Sequence, residues 1–159
     1  MLDIATVRGQ VSLADEQHVA DWFNAKPGLR YIQTPKNKPA KVDAILTQNN
    51  EIIGLAETKC RYKLSLDQFQ QTFRNEWLIT AEKVDTGIKL AEQLCVPLYG
   101  FLFLVDANTL LVQNLSSAST HREITETQRT INGGVAVREN LFVSMRNAKI
   151  YHGIKKEAL

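Results

Sequence analysis

The sequence predicts an α/β domain with a mixed central β-sheet flanked by helices. Three observations lead to this fold class. Segments with a helical apolar period alternate along the chain with short segments rich in β-branched and aromatic residues. An asparagine-rich turn separates two of the strand-like segments. The apolar run from Val96 to Val105 has the length of a buried strand. A helix, a three-strand meander, a helical region and further strands in that order predict a layered domain.

Size and composition limit the classes of protein to which the chain can belong. Its 159 residues, 44% hydrophobic and 23% charged, are typical of one globular domain. We expect a single domain over residues 1–159, with a core at about 13–113 and a C-terminal extension at about 114–159. A net charge of +2 excludes a protein that coats nucleic acid, and two cysteines exclude a disulfide framework. The N-terminus lacks a signal peptide pattern, and no apolar run is long enough for a membrane helix. The sequence therefore predicts a cytoplasmic protein (host cytoplasm if phage-encoded) with no membrane partner.

Patterns in the first half of the chain predict a helix, a basic loop and a meander. The helix ends at Pro27-Gly28, and two prolines exclude regular structure from the loop at residues 35–39. Gln48-Asn49-Asn50 supplies residues that tolerate the positive φ of a tight turn. The predicted bounds are 13–26 for the helix and 29–34, 41–47 and 51–61 for the strands.

The second half is predicted in less detail. Ser65 and Gln68 have the spacing of a capping box, which starts a helical stretch to about Leu94 with a break near residues 73–75. Strands are expected at 96–105 and 109–113, and the polar segment 116–130 is expected to be largely loop. We then expect a turn at residues 132–134 and short strands at 141–145 and 149–151.

The residues that point to chemistry lie between Lys38 and Arg61. Side chains two apart on a strand share a face, so Glu57 and Lys59 project together. Burying both charges at the end of an apolar strand is unfavourable unless they are paired or bind an ion. The predicted hairpin brings Asp43 across from the residues just before Glu57, although the spacing requires a bulge or a splayed strand end.

Two carboxylates at this place would suit a divalent cation. Close carboxylates repel each other, and a divalent ion relieves that repulsion. Oxygen ligands are those that Mg²⁺ and Mn²⁺ prefer, and a lysine beside such an ion can orient a water molecule. The sequence therefore predicts a metal site with Lys59 beside it.

Asp43 followed by Glu57-Thr58-Lys59 in this order of elements resembles the PD-(D/E)XK nuclease superfamily. In size and layout the Holliday-junction-resolvase-like and phage-type small nucleases are the most similar members. The resemblance covers about residues 13–113. It implies a restriction-endonuclease-like core and Mg²⁺-dependent hydrolysis of phosphodiester bonds in DNA, with Mn²⁺ as a substitute. The proline of the family name would directly precede Asp43, but Val42 stands there.

The resemblance also implies roles for individual residues. Asp43, Glu57 and the main-chain carbonyl of Thr58 would bind the metal, and Lys59 would assist the attacking water. Some members add a glutamate from the first helix, which Glu16 would match. We expect a phosphate-contacting rim around the metal, made by the basic residues Lys36, Lys38, Lys41, Arg61 and Lys63. Lys83, on the predicted helical stretch, is left outside the predicted site.

Each of these residues also has a plainer interpretation. Glu57 and Lys59 could form an exposed ion pair on an edge strand, and Asp43 could be a solvent-facing strand residue. Glu16 could simply favour the dipole in the first turn of its helix. The basic residues could be solvated loop charges.

Three functions therefore remain open. The first is a Mg²⁺-dependent deoxyribonuclease, including a structure-specific one acting in DNA recombination or repair. The second is a non-catalytic nucleic-acid-binding or assembly module that keeps the nuclease fold, and the third is a protein-binding domain. The preferred DNA structure and the choice between endo- and exonuclease action stay open. The segment after Ser116 is compatible with substrate choice or with a homodimer contact.

Overall fold

A computed structural model describes the backbone of residues 7–129 and 135–156 and the side chains of residues 12–124 and 137–156. These ranges contain three helices and nine strands. In chain order they are α1 Val7–Asn24, β1 Leu29–Gln33, β2 Ala44–Gln48, β3 Glu51–Arg61, α2 Leu66–Gln71, β4 Glu76–Thr80, α3 Ala81–Gln93, β5 Leu98–Leu104, β6 Thr109–Asn114, β7 Thr120–Arg129, β8 Val135–Ser144 and β9 Lys149–His152.

The central sheet has six strands in the order β1-β2-β3-β5-β6-β9. Strands β3 and β5 are parallel, and every other pair in this sheet is antiparallel. A second, three-stranded antiparallel sheet has the order β4-β8-β7. The predicted α/β class with a mixed central sheet flanked by helices is confirmed, whereas the second sheet was not predicted.

Apolar side chains cover both faces of the central sheet. On one face, α1 packs through Val19, Ala20 and Phe23 against strand residues that include Phe101. On the other face, α3 and the second sheet close a separate cluster, to which Trp77 belongs. Strand β3 lies inside the sheet between β2 and β5, and its residues 54–58 are buried.

The meander forms with a turn that fits its sequence, but β2 begins at Ala44 rather than at residue 41, so Asp43 precedes the strand on which it was expected. Asn49 and Asn50 have φ of 50° and 68°, the left-handed pair that a two-residue hairpin requires. The expected irregularity is present, because the register between β2 and β3 shifts between Leu46 and Thr47. Ser65 and Gln68 form both hydrogen bonds of the predicted capping box. Strands β5, β6 and β9 lie within a residue or two of the predicted bounds.

The predicted helical stretch to Leu94 is wrong at residues 76–80, which form β4. Arg74 and Asn75 both have left-handed φ, which ends the preceding helical segment. Trp77 and Ile79 are buried whereas Leu78 is exposed, a period of two that belongs to a strand. This segment is held as a strand by its pairing with β8, which is remote in sequence.

The prediction of loop at residues 116–130 is also wrong, because residues 120–129 form the edge strand β7. Its sequence is polar, so no apolar alternation identifies it. The strand is instead held by pairing with β8 and by Arg122, which bridges Asp85 of α3 and Glu139 of β8. Strand β8 is accordingly longer than the predicted 141–145. The turn predicted at residues 132–134 lies outside the described residues.

None of the helices in the described ranges is long and apolar enough to cross a bilayer.

Candidate metal centre

The site lies at the part of β3 that extends beyond the end of β2. Strand β2 starts at Ala44, which pairs with Ala56, whereas β3 runs on to Arg61. From Glu57 onward, β3 is therefore bordered by β5 on one side and by no β2 residue on the other. The loop before β2 lies along this open side, since Asp43 donates its N–H to the Ala56 carbonyl at 2.9 Å.

The Asp43 side chain lies beside Thr58 of β3, where a further residue of β2 would otherwise pair. Its Oδ2 accepts a hydrogen bond of 2.8 Å from the N–H of Thr58. The N–H and C=O of one strand residue point to the same side, so the Thr58 carbonyl also faces the side that β2 leaves open. The interpretation of Asp43 as a solvent-facing strand residue is wrong, because its carboxylate is bound to β3 and is mostly buried.

Glu57 is fully buried, with 0% of its surface exposed. Its Oε1 and Oε2 accept no hydrogen bond of good geometry from any described residue. Burial, followed by the nearby Asp43 carboxylate, raises the pKa of Glu57 from 4.5 to about 8, and Lys83 opposes this only in part. A buried carboxylate without hydrogen bonds is costly, and a cation at this place would relieve the cost.

Lys83 of α3 is the basic residue that pairs with both carboxylates. Its Nζ lies 3.4 Å from Glu57 Oε2 and 4.0 Å from Asp43 Oδ1. Burial alone would lower the pKa of Lys83, but Asp43 and Glu57 outweigh it, so the net shift is upward. The interpretation of Glu57 and Lys59 as an exposed ion pair on an edge strand is therefore wrong, since Glu57 is buried on an inner strand and pairs with Lys83.

Lys83 lies on the predicted helical stretch but was left outside the predicted site. With the helix at Ala81–Gln93, Lys83 lies beside the buried Val84 and one turn before the buried Gly87. Gly87 lets α3 approach the sheet closely, since an added Cβ would lie 2.9 Å from a methyl group of Leu98. A lysine on the apolar side of this helix was the signal that could have identified it.

Lys59 projects from the same face of β3 as Glu57. It is half-buried, and it forms no salt bridge within the part of the chain that the structure describes. Burial, followed by the like charge of Lys83, lowers the pKa of Lys59. A lysine in these surroundings has more of its neutral form available near neutral pH than an exposed lysine has.

Glu16 lies at the open edge of β3, on the side of α1. The hydroxyl of Tyr31 donates to Glu16 Oε1 at 2.9 Å, and Lys36 Nζ lies 3.2 Å from the same oxygen. Tyr31 also shares a hydrogen bond of 2.7 Å with the Thr58 hydroxyl. Because α1 begins at Val7, Glu16 is not in the first turn, and its interpretation as a dipole-favouring residue is wrong. Tyr31 and its role were not predicted.

The five predicted basic residues lie at one end of the central sheet, where β2 begins and β3 ends. Lys36 is part of the site itself, since its Nζ lies 3.8 Å from Asp43 Oδ1 as well as close to Glu16. The others are exposed around it, in the loop before β2 or at the end of β3: Lys38, Lys41, Arg61 and Lys63.

The donor set fits a hard divalent cation better than a transition metal. Among the described residues no group of three or more His, Cys, Asp or Glu side chains could hold a metal ion. Two carboxylates and a main-chain carbonyl suit Mg²⁺, which keeps several of its waters. The oxygens of buried Glu57, which accept no good hydrogen bond from a described residue, are consistent with such an ion.

The sequence of the chain matches no protein-family model and no curated protein.

Proposed function

We propose that the protein is a Mg²⁺-dependent nuclease that hydrolyses phosphodiester bonds in DNA. The observation that carries this proposal is the meeting of Asp43 and buried Glu57 where β3 continues beyond β2. Neither oxygen of Glu57 is satisfied by a hydrogen bond from the described residues. Lys59 projects from the same face and has a lowered pKa.

The arrangement of elements supports a restriction-endonuclease-like core. The helix α1, the meander β1 to β3, the helix α3 and the strand β5 follow in the expected order, and β5 is parallel to β3. The short helix α2 and the strand β4 stand between β3 and α3. We place the protein in the PD-(D/E)XK superfamily as part of the same proposal.

In the proposed reaction Asp43, Glu57 and the Thr58 carbonyl would hold the metal. When bound, the ion would lower the pKa of a water molecule and neutralise charge on the scissile phosphate. Thr58 N–H fixes the Asp43 carboxylate through its hydrogen bond. Lys59, which projects from the same face of β3 as Glu57, would orient the attacking water. Lys83 balances the negative charge of both carboxylates.

The surrounding cations would hold the DNA strand. Lys38, Lys41, Arg61 and Lys63 are exposed at the same end of the sheet as the carboxylates. Lysine and arginine at such a rim neutralise phosphates without reading the base sequence. This arrangement supports contact with the DNA backbone near the site.

A cleavage assay with defined variants tests this function. Labelled single-stranded, duplex, flapped and four-way DNA would be incubated with Mg²⁺ or Mn²⁺ and resolved on denaturing gels. We expect at least one substrate to be cut, and Asp43→Ala and Lys59→Ala to lose at least about a hundredfold in rate. Glu51→Ala, at the exposed start of the same strand, is the matched control and should cut like the parent.

The assay also separates the competing functions. Equal cutting by the parent, Asp43→Ala and Lys59→Ala would show that the site is assigned wrongly. Binding of DNA without cutting, under any metal, would favour a non-catalytic nucleic-acid-binding module. A protein that neither cuts nor binds DNA at low salt would instead fit a protein-binding domain.

A further inference from the structure

Lys36 occupies the gap between two of the three acidic side chains of the site. Its Nζ lies 3.2 Å from Glu16 Oε1 and 3.8 Å from Asp43 Oδ1. The same ammonium lies 3.4 Å from the main-chain carbonyl of Asp43. Three oxygens therefore surround one lysine nitrogen at the open edge of β3, which is the kind of environment that a small cation occupies.

Glu16 is held in place as a partner for Lys36. Its Oε1 accepts a hydrogen bond from the Tyr31 hydroxyl, and Tyr31 is itself hydrogen-bonded to the Thr58 hydroxyl of β3. Burial, followed by the Asp43 carboxylate, raises the pKa of Glu16, and Lys36 opposes that shift. Glu16 without Lys36 would therefore be a buried carboxylate beside another carboxylate, which is unfavourable.

The two gaps between the acidic side chains differ in hydrogen bonding. Between Glu16 and Asp43, the oxygens are bound by Tyr31, Thr58 N–H and Lys36. Between Asp43 and Glu57, Lys83 Nζ lies at ion-pair distances of 4.0 Å and 3.4 Å from the two carboxylates, but no described group donates a good hydrogen bond to either oxygen of Glu57. A divalent cation gains most where carboxylate oxygens lack donors, which is the second gap.

We infer that Lys36 serves as a built-in cation between Glu16 and Asp43, so that the site binds one divalent metal ion rather than two. The single ion lies between Asp43 and Glu57, and Glu16 positions Lys36 instead of binding metal. This inference rests on the proposed function and specifies its metal stoichiometry. It also gives Glu16 a role other than the metal-binding one that the family resemblance implies.

Charge supports a single ion. Glu16, Asp43 and Glu57 face the two ammonium groups of Lys36 and Lys83 across ion-pair distances. The three carboxylates exceed the two ammonium groups by one negative charge, so one divalent ion would leave the group with one positive charge. A second ion would leave a large positive excess in a partly buried site, which is unfavourable at low dielectric constant. Removing Lys36 would lower that excess by one charge and would free the three oxygens around its nitrogen for a second ion.

Counting bound Mn²⁺ tests the inference without any measurement of cleavage. Calorimetric titration of the full chain with Mn²⁺ alone should give one ion per chain for the parent and two for Lys36→Met. Lys38→Met, an exposed lysine of the same loop, is the matched control and should give one. A parent that binds two ions, or a Lys36→Met variant that still binds one, would overturn the inference.

Glu16→Gln provides a second test that does not depend on the folding of Lys36→Met. The amide keeps an oxygen for the Tyr31 hydroxyl but loses the charge that attracts Lys36. We expect Glu16→Gln to bind one Mn²⁺ with an affinity within about threefold of the parent. A loss of Mn²⁺ affinity of tenfold or more would identify Glu16 as a metal ligand and overturn the inference.

The titration distinguishes failure of the inference from failure of the proposed function. A parent that binds no Mn²⁺ would remove the proposed function and, with it, the inference. A parent whose single ion is lost on Asp43→Ala, together with a Lys36→Met variant that also binds one, would remove only the inference.

Discussion

Glu57 is an acid whose surroundings favour its protonated form. Burial and the Asp43 carboxylate raise its pKa from 4.5 to about 8. Between these two values the folded, metal-free protein retains a proton that the unfolded chain has released. The free energy of unfolding therefore falls as pH rises from about 4.5 through about 8, because the deprotonated carboxylate is disfavoured only in the folded state.

We expect Glu57→Gln to remove this pH dependence. The amide has nearly the same shape but no charge, so the metal-free variant should match the parent near pH 5 and exceed its stability by roughly 2–4 kcal/mol at pH 8. Urea unfolding in EDTA at pH 5, 6, 7 and 8 measures the difference. Glu51→Gln, at the exposed start of the same strand, should follow the parent at every pH. Parallel curves for Glu57→Gln and the parent would contradict the pKa assigned to Glu57.

The sequence predicted some site residues and missed others for a physical reason. Glu57 and Lys59 follow from the two-residue period of one strand, and Asp43 follows from a hairpin whose turn is readable. Lys83 and Tyr31 join the site only through tertiary packing of α3 and β1. The register shift between Leu46 and Thr47 determines which β3 residue lies beside Asp43. A bulge or a splayed strand end was expected in this hairpin, but residue types did not show where it would lie.

At the scale of elements, the second sheet is fitted closely against β5 next to Glu57. Gly100 of β5 pairs with Glu57 of β3 in the parallel ladder. A Cβ added at Gly100 would lie 2.4 Å from Cζ3 of Trp77 and 3.0 Å from both methyl groups of Leu115. Trp77 is 2% exposed, so its ring has no room to move away. The absence of a side chain at Gly100 therefore lets β4 pack over the central sheet.

Gly100→Ala should therefore cost about 2–3 kcal/mol through overpacking. Gly153→Ala is an informative comparison, because Gly153 has nothing within 4 Å but a φ of +70°. Its cost should be about 1 kcal/mol, from backbone strain alone. Urea unfolding of the three proteins measures both values. A loss for Gly153→Ala that equals or exceeds the loss for Gly100→Ala would contradict the packing assigned to Trp77.

The elements that the sequence mispredicted are those whose structure depends on remote partners. Strand β4 lies in a segment that was expected to be helical, and its pairing with β8 decides the outcome. Strand β7 has a largely polar sequence and is identified only by its partner. By contrast, the hairpin of β2 and β3 and the start of α2 carry their own turn and capping residues, so local sequence was sufficient for them.

At the scale of the whole molecule, the net charge is small but the basic residues near the site are gathered at one end. Lys38, Lys41 and Lys63 are exposed there together with Arg61, whereas Lys36 is engaged by the carboxylates. Four cations at a DNA backbone correspond to a slope of about −3 to −4 in a plot of log Kobs against log salt concentration. The affinity should therefore depend on salt much less steeply than that of a protein that coats DNA.

Anisotropy of a labelled duplex over a range of salt concentrations tests this expectation. The Asp43→Ala background in EDTA would prevent cleavage during the measurement. Lys41→Ala should reduce the magnitude of the slope by about one. Arg30→Ala removes an exposed charge near the hairpin turn, at the far end of the sheet, and should leave the slope unchanged. Equal effects of the two substitutions would contradict the proposed location of the DNA-binding surface.

The site at the end of β3 that extends beyond β2 depends on the length of the hairpin between Asp43 and Glu57. The residues between Asp43 and Glu57 form one turn and return the chain to a position beside Asp43. This spacing, which includes the register shift between Leu46 and Thr47, brings the two carboxylates together. Inserting or deleting one residue in this hairpin would send the carboxylates to different levels or opposite faces, even if every chemical group were kept. Substitutions on the outer surface of the hairpin leave the number of residues between the two carboxylates unchanged. Spacing within one hairpin, more than overall composition, therefore defines the chemistry of this protein, and length variation there should be the change least tolerated during its evolution.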